Sequence, residues 1–190
     1  MMIQLRFLFF LLFFNSCQEK FTTIEEYSNY PVKFAKTKVI YSTNDFSILL
    51  PKDWRWKEEQ YETKQIILGI DAGKTDSISG FTKIISIQKY RSSENNLELK
   101  AEYETMLRTI EKNKMIPKIV ESGETKLLNY DSYFFHAKSE NENSIEMISF
   151  IIKSEEKGVF YSLNASCQIK DNLKTNMSMM LNCLRSFEHK

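Results

Sequence analysis

Glycine and proline are scarce in this chain of 190 residues, with five of the first and three of the second. So little punctuation excludes a low-complexity sequence, and no internal repeat is visible. Histidine is rarer still, at His136 and His189 alone. That excludes a multi-histidine metal site and leaves little for Ser–His or Cys–His catalysis. The apolar run Phe7–Phe14 falls far short of the roughly 20 residues that a membrane-spanning helix needs. Net charge is missing too. The formal value is +1, and the signs alternate along the whole length, without the basic patch that marks a nucleic-acid binder.

What is present at the start is a basic residue, Arg6, the short apolar run, and then Asn15, Ser16 and Cys17. A basic start, an apolar stretch and a small residue compose a secretory signal. The Ser16-Cys17 pair resembles the lipobox of bacterial lipoproteins. Phe14 and Asn15 stand where the enterobacterial pattern has leucine and a small residue, so the likeness is to the looser form used in Bacteroidota. An excess of lysine over arginine, 21 to 5, suits an AT-rich genome of that kind.

The resemblance implies a signal peptide over residues 1–16, lipidation of Cys17 by palmitate or another acyl group, and attachment to the membrane through that lipid. Gln18, in place of a retention aspartate, implies the outer membrane rather than the inner. An ordinary secretory signal with a coincident cysteine, or an uncut amphiphilic anchor, are the alternatives. Loss of residues 1–16 removes one positive charge and no negative one, leaving 25 basic residues against 25 acidic ones.

About 170 residues then remain, enough for one domain with a sound core. Residues 17–37 read as the lipidated cysteine and a tether, which docks in part through Tyr27, Tyr30 and Phe34. As a coil of this length it would average about 25 Å end to end. Residues 38–190 read as the domain. Strands bounded by turn residues are expected at 39–41, 46–50, 54–61, 65–71 and 82–90, then at 118–121, 125–128, 132–138, 144–153 and 159–167.

The alternation Phe46, Ile48, Leu50, and then Trp54, Trp56 against Arg55, Lys57, indicates half-buried antiparallel sheet. Between the two sets of strands, Leu99, Tyr103, Met106, Leu107 and Ile110 form a helical stripe behind a capping box at Asn95 and Glu98. A second stripe of Leu173, Met177, Met180, Leu181, Leu184 and Phe187 closes the chain. Hairpins with two one-faced helices predict an α+β fold, a twisted antiparallel sheet carrying two packed helices.

FSILLPKDW, with its strand, proline and tryptophan, resembles the opening signature of the PsbP-like superfamily. That superfamily takes in the bacterial DcrB-like proteins and a eukaryotic Ran-binding import factor. VFYSLNASCQIKDNLKTNMSMMLNCLRSF is similar to its last strand and closing helix, ending in Ser186 and Phe187. The likeness spans residues 38–188. It implies a PsbP-like layered domain, and a member that binds proteins rather than catalysing reactions, with Trp54 as a core anchor. No ligand-binding residue transfers position by position.

Few residues are left to carry chemistry. GIDAGKTDS, 69–77, lacks the spacing of a phosphate loop and precedes a strand rather than a helix, so it reads as a hairpin turn and no nucleotide is expected. His136 reads as a partly buried sheet histidine and His189 as part of a frayed terminus. The adjacent carboxylates Glu58-Glu59 and Glu155-Glu156 point apart or into solvent, and mark out no acid–base pair. Cys167 and Cys183 could pair in an oxidising compartment or remain buried thiols.

Trp54 and Trp56 are either core or an exposed platform. Trp56, less covered by the resemblance, has the better claim to contact a partner. The expectation is therefore a non-catalytic, cofactor-free and metal-free lipoprotein of the cell envelope that binds an envelope protein. A small-molecule or lipid carrier with a pocket between sheet and helices is the alternative.

Overall fold

The structure, a computed structural model, describes residues 21–61, 63–76, 80–112, 118–139, 144–169 and 172–190. The chain runs α1 (Ile24–Asn29), β1 (Lys36–Ile40), β2 (Phe46–Pro51), β3 (Arg55–Glu58), β4 (Ile66–Asp76), β5 (Gly80–Arg91), α2 (Leu99–Lys112) and β6 (Lys118–Thr125). It continues β7 (Ser132–Lys138), β8 (Ile145–Lys153), β9 (Val159–Gln168), α3 (Leu173–Leu184) and β10 (Glu188–His189). The α+β class and antiparallel pairing are as expected; the described residues form two sheets and three helices where the sequence predicts one sheet and two helices.

The larger sheet has seven strands in the order β3-β4-β5-β9-β8-β7-β6, and the smaller has three in the order β1-β2-β10. Every described pairing is antiparallel. Period-two alternation sends successive side chains of the large sheet to opposite faces. Ile148, Phe150 and Ile152 of β8, with Tyr161, Leu163 and Ala165 of β9, meet Phe46, Ile48 and Leu50 of β2 and Met177, Met180, Leu181 and Leu184 of α3 in the main core.

Ile151 and Phe160 point the other way, to a smaller cluster with Tyr103, Met106 and Leu107 of α2. The two amphipathic helices thus cover opposite faces of one sheet. Burying each large side chain in these clusters contributes about 1.5–3 kcal/mol.

Several elements differ from the sequence expectation. The tryptophan strand is only Arg55–Glu58, and all four residues are exposed rather than half-buried. Residues 118–125 form one strand with a register irregularity between Ile119 and Glu121, in place of two short strands. The capping box expected at Asn95 is absent: Asn95 has φ 57°, and Ser92 Oγ instead accepts from Asn96 N at 2.9 Å.

A capping box does form at α1, where Thr23 Oγ1 accepts from Glu26 N and Glu26 Oε2 accepts from Thr23 N. Residues 69–76 of GIDAGKTDS lie inside β4, so this segment is strand and not turn. A turn at 154–158 joins β8 to β9, with Gly158 at φ 71°, a conformation that glycine adopts without steric cost.

Candidate functional site

The geometry around Trp56 begins at the end of β2. Trp54 N donates to Pro51 O at 3.0 Å, a tight turn that drops the Trp54 ring into the core at 8% exposure. Two residues on, Trp56 is 43% exposed. The difference comes from position in the sheet. β3 is an edge strand, and its register sets Trp56 opposite Ala72 and Arg55 opposite Gly73 of β4.

Gly73 is needed because a Cβ there would lie 2.5 Å from Lys83 O. A hollow of about 410 Å³ lies beside β3, lined by Arg55, Trp56, Lys57, Asp71 and Ile84 among others, and open to solvent. Several charges around it are paired locally. Lys57 meets Glu59 at 2.5 Å, which holds its ammonium above the usual lysine value. Lys74 meets Asp53 at 2.5 Å and holds that carboxyl below its usual value. Glu58 accepts from Ser42 N at 2.9 Å and Ser42 Oγ at 2.8 Å.

The other end of the large sheet contains a polar cluster that sequence reasoning missed. His136 of β7 is not partly but wholly buried, at 0% exposure, as is Glu146 of β8. His136 Nε2 lies 2.7 Å from Glu146 Oε1, the same oxygen that accepts from Tyr27 Oη at 2.6 Å. Lys138 Nζ lies 3.0 Å from Glu146 Oε2, and Glu121 Oε2 lies 3.6 Å from His136 Nδ1 while accepting from Ile24 N at 2.9 Å.

Phe21 and Tyr27 close over the imidazole edge-on, each with centroids 6.0 Å away. Burial pushes the Glu146 carboxyl up, but the hydrogen bonds from His136, Tyr27 and Lys138 outweigh it and hold the group below the usual glutamate value. Burial and the neighbouring Glu146 push the Tyr27 phenol far above its usual value. The cluster ties the segment around α1 to β6, β7 and β8, so the docking expected of Tyr27 takes this form. A signal for it existed: Glu146 shares its strand parity with Ile148, Phe150 and Ile152, an acid on an otherwise apolar face.

Cys167 and Cys183 are free buried thiols, and the pairing left open by the sequence is not made. Burial raises both thiols, that of Cys183 to about 12. They sit in separate surroundings, Cys167 beside Lys83 and Asn176 on the sheet and Cys183 on α3 near Lys36. A thiol held so high carries almost no thiolate at neutral pH and is a poor nucleophile.

His189 is not frayed; it pairs with Phe46 in β10 and stacks on Tyr130 with centroids 4.8 Å apart. A second open hollow, of about 420 Å³, lies between α2 and the sheet beside Ile66, Tyr90, Glu102, Met106 and Ile110. Among the described residues no cluster of His, Cys, Asp and Glu is arranged to hold a metal ion, and no helix is long and apolar enough to cross a membrane. Cys17 lies outside the described residues.

No protein-family model matches the chain, and no curated protein matches it. Solved structures do. Cyanobacterial PsbP (CyanoP) from Synechocystis superposes with a TM-score of 0.57 at 10% identity, over 84% of this chain and 95% of its own. The Ran-binding protein Mog1p of Saccharomyces cerevisiae gives a TM-score of 0.58 at 8% identity, over 83% and 96%. LpqN of Mycobacterium tuberculosis, described as involved in cell envelope biogenesis, gives 0.51 at 14% identity, over 87% and 95%. The fold is therefore PsbP-like, in line with the resemblance of FSILLPKDW and the closing strand and helix. At such identities the likeness is one of fold alone.

Proposed function

We propose that this chain is a non-catalytic accessory module of the cell envelope, anchored through a lipid on Cys17, that binds another protein through the β3 edge around Trp56. The observation that carries this is the contrast between the two tryptophans. An aromatic ring 43% exposed on an edge strand leaves a large apolar surface uncovered by the fold, and aromatic residues are enriched at the centres of protein interfaces.

The hollows beside β3 and α2 are both open to solvent rather than enclosed, which supports a binding surface over an internal carrier cavity. The sealed His136–Glu146 pair and the raised thiols of Cys167 and Cys183 support a non-catalytic role. LpqN, with the same fold, offers a precedent for an envelope setting. Gln18 after the cysteine favours the outer membrane.

The test is affinity purification of the tagged full-length protein from detergent-solubilised membranes of the source organism. A protein should accompany the wild type and be lost with Trp56→Ser, and the Cys17→Ser variant should leave the membrane fraction. Recovery of a monomer carrying a small molecule would overturn this reading in favour of a carrier. The hollow beneath α2, with its Ile66, Tyr90, Met106 and Ile110 walls, would be its site.

A further inference from the structure

The open edge of β3 has a defined hydrogen-bonding parity and a defined charge pattern. Glu59 N donates to Gly69 O at 3.0 Å, which fixes the narrow pairs of the β3–β4 ladder. Arg55 and Lys57, opposite Gly73 and Asp71, therefore spend their backbone groups on β4. Trp56 and Glu58 direct their N–H and C=O groups outward, and among the described residues no further strand lies beyond β3.

Side chains alternate with the same period. Arg55 and Lys57 share one face of the edge, and Trp56 and Glu58 share the other. Arg55 enters no ion pair among the described residues.

A second copy of the chain does not fit this edge. In an antiparallel self-pairing, outward residues must meet outward residues. Setting Trp56 against the second copy's Glu58 puts Lys57 opposite its own counterpart. Setting Trp56 against Trp56 puts Lys57 opposite the second copy's Arg55. Setting Glu58 against Glu58 opposes the two carboxylates, so all three registers place like charges directly across the ladder, which is destabilising.

We infer that the β3 edge accepts, by strand addition, an extended segment of a partner protein in which acidic and apolar residues alternate. One acidic residue lies beside Arg55, which has no ion pair among the described residues, and another competes with Glu59 for Lys57; the apolar residues lie over the Trp56 ring, and the segment's backbone pairs with the outward groups of Trp56 and Glu58. Main-chain pairing at an open edge supplies affinity, and the alternate side chains supply selectivity. The short, charged edge also resists indiscriminate pairing. This inference rests on the protein-binding reading above and names its partner's chemistry.

The test is a titration of the folded, full-length protein with a short peptide alternating valine and glutamate, its valine–lysine counterpart, and a glutamate version N-methylated at alternate backbone positions. Binding is read by calorimetry and by amide shifts. The glutamate peptide should bind about tenfold more tightly than the other two, as expected for two cross-strand charge pairs or for lost ladder bonds. Its shifts should centre on Trp56 and Glu58, and added salt should weaken it.

Arg55→Glu, checked for an unchanged melting temperature, should remove the preference for glutamate, and Glu58→Pro should remove one outward N–H and weaken all peptides. Equal binding of the lysine or N-methylated peptide, no binding, or shifts elsewhere overturns the inference. Co-purification separates the two levels. If Trp56→Ser loses the natural partner while Arg55→Glu and Glu58→Pro keep it, the protein-binding reading stands and strand addition falls. If Trp56→Ser loses nothing, the reading itself falls, and the peptide titration still decides about the edge.

Discussion

The two ends of the seven-stranded sheet use polar chemistry in opposite ways. At the β6–β7–β8 end, Glu146, His136 and Tyr27 meet out of water around one shared carboxylate oxygen, and Lys138 reaches the other oxygen from the margin. At the β3 end, Arg55, Lys57 and Glu58 stand in solvent, together with a large aromatic ring. A buried polar group must be paired inside the molecule or it costs several kcal/mol, so the first end is committed to the fold. An exposed group carries no such obligation: Lys57 and Glu58 make local contacts with Glu59 and Ser42 that water can replace, and Arg55 makes no ion pair among the described residues. The same strand architecture thus yields a closed end that holds the N-terminal segment and an open end that can be joined.

The sharpest way to break this contrast is Glu146→Ala, which strips His136 and Lys138 of their shared carboxylate. It should cost about 3–5 kcal/mol in urea unfolding, the usual loss when one member of a buried charged set is removed. Tyr27→Phe deletes only the phenol's bond to Glu146 and should cost about 1–3 kcal/mol. Its further signature is local: hydrogen exchange should speed up in α1 while β9 stays protected, and equal acceleration in both would mean that the cluster does not hold α1 specifically.

Acid should act on the same end. Because folding holds the Glu146 carboxyl below its ordinary value, its contribution is complete above the unfolded glutamate value of roughly 4.3 and is lost as pH falls through the lower folded value. The stability gap between wild type and Glu146→Gln should therefore be constant from pH 7 to about 5 and narrow below about 4. A gap that widens in acid would refute the assignment. The smallest effect belongs to the open end. Trp56→Ser should change stability by no more than about 0.5 kcal/mol while removing the co-purifying protein, and a large loss of stability would show Trp56 to be structural.

Much of the architecture was legible from periodicity. Ser132–Lys138 appears in the structure with the bounds that alternation sets, and the stripes of α2 and α3 face the sheet as the 3.6-residue period requires. Elements that were not legible are short and held from far away. α1 spans only six residues, too few to form a helix on propensity. It is fixed by its capping box and by Glu121 and Glu146, close to a hundred residues or more along the chain. β10 is two residues long and exists because β2 offers it an edge. The closed cluster had a local sign in Glu146 breaking an apolar face; Tyr27 was legible as a docking residue, but a tyrosine in a polar segment does not announce what its hydroxyl will reach.

The sequence by itself determined the alternation of β2, the proline turn and the presence of two tryptophans two residues apart. It also determined the scarcity of histidine that kept catalytic and metal readings small. Only the tertiary structure decided that Trp54 is core and Trp56 is surface. Period two settles which face of a strand a side chain occupies. Whether that face is covered depends on which distant elements pack against it, and the core that encloses Trp54 stops short of the edge at Trp56.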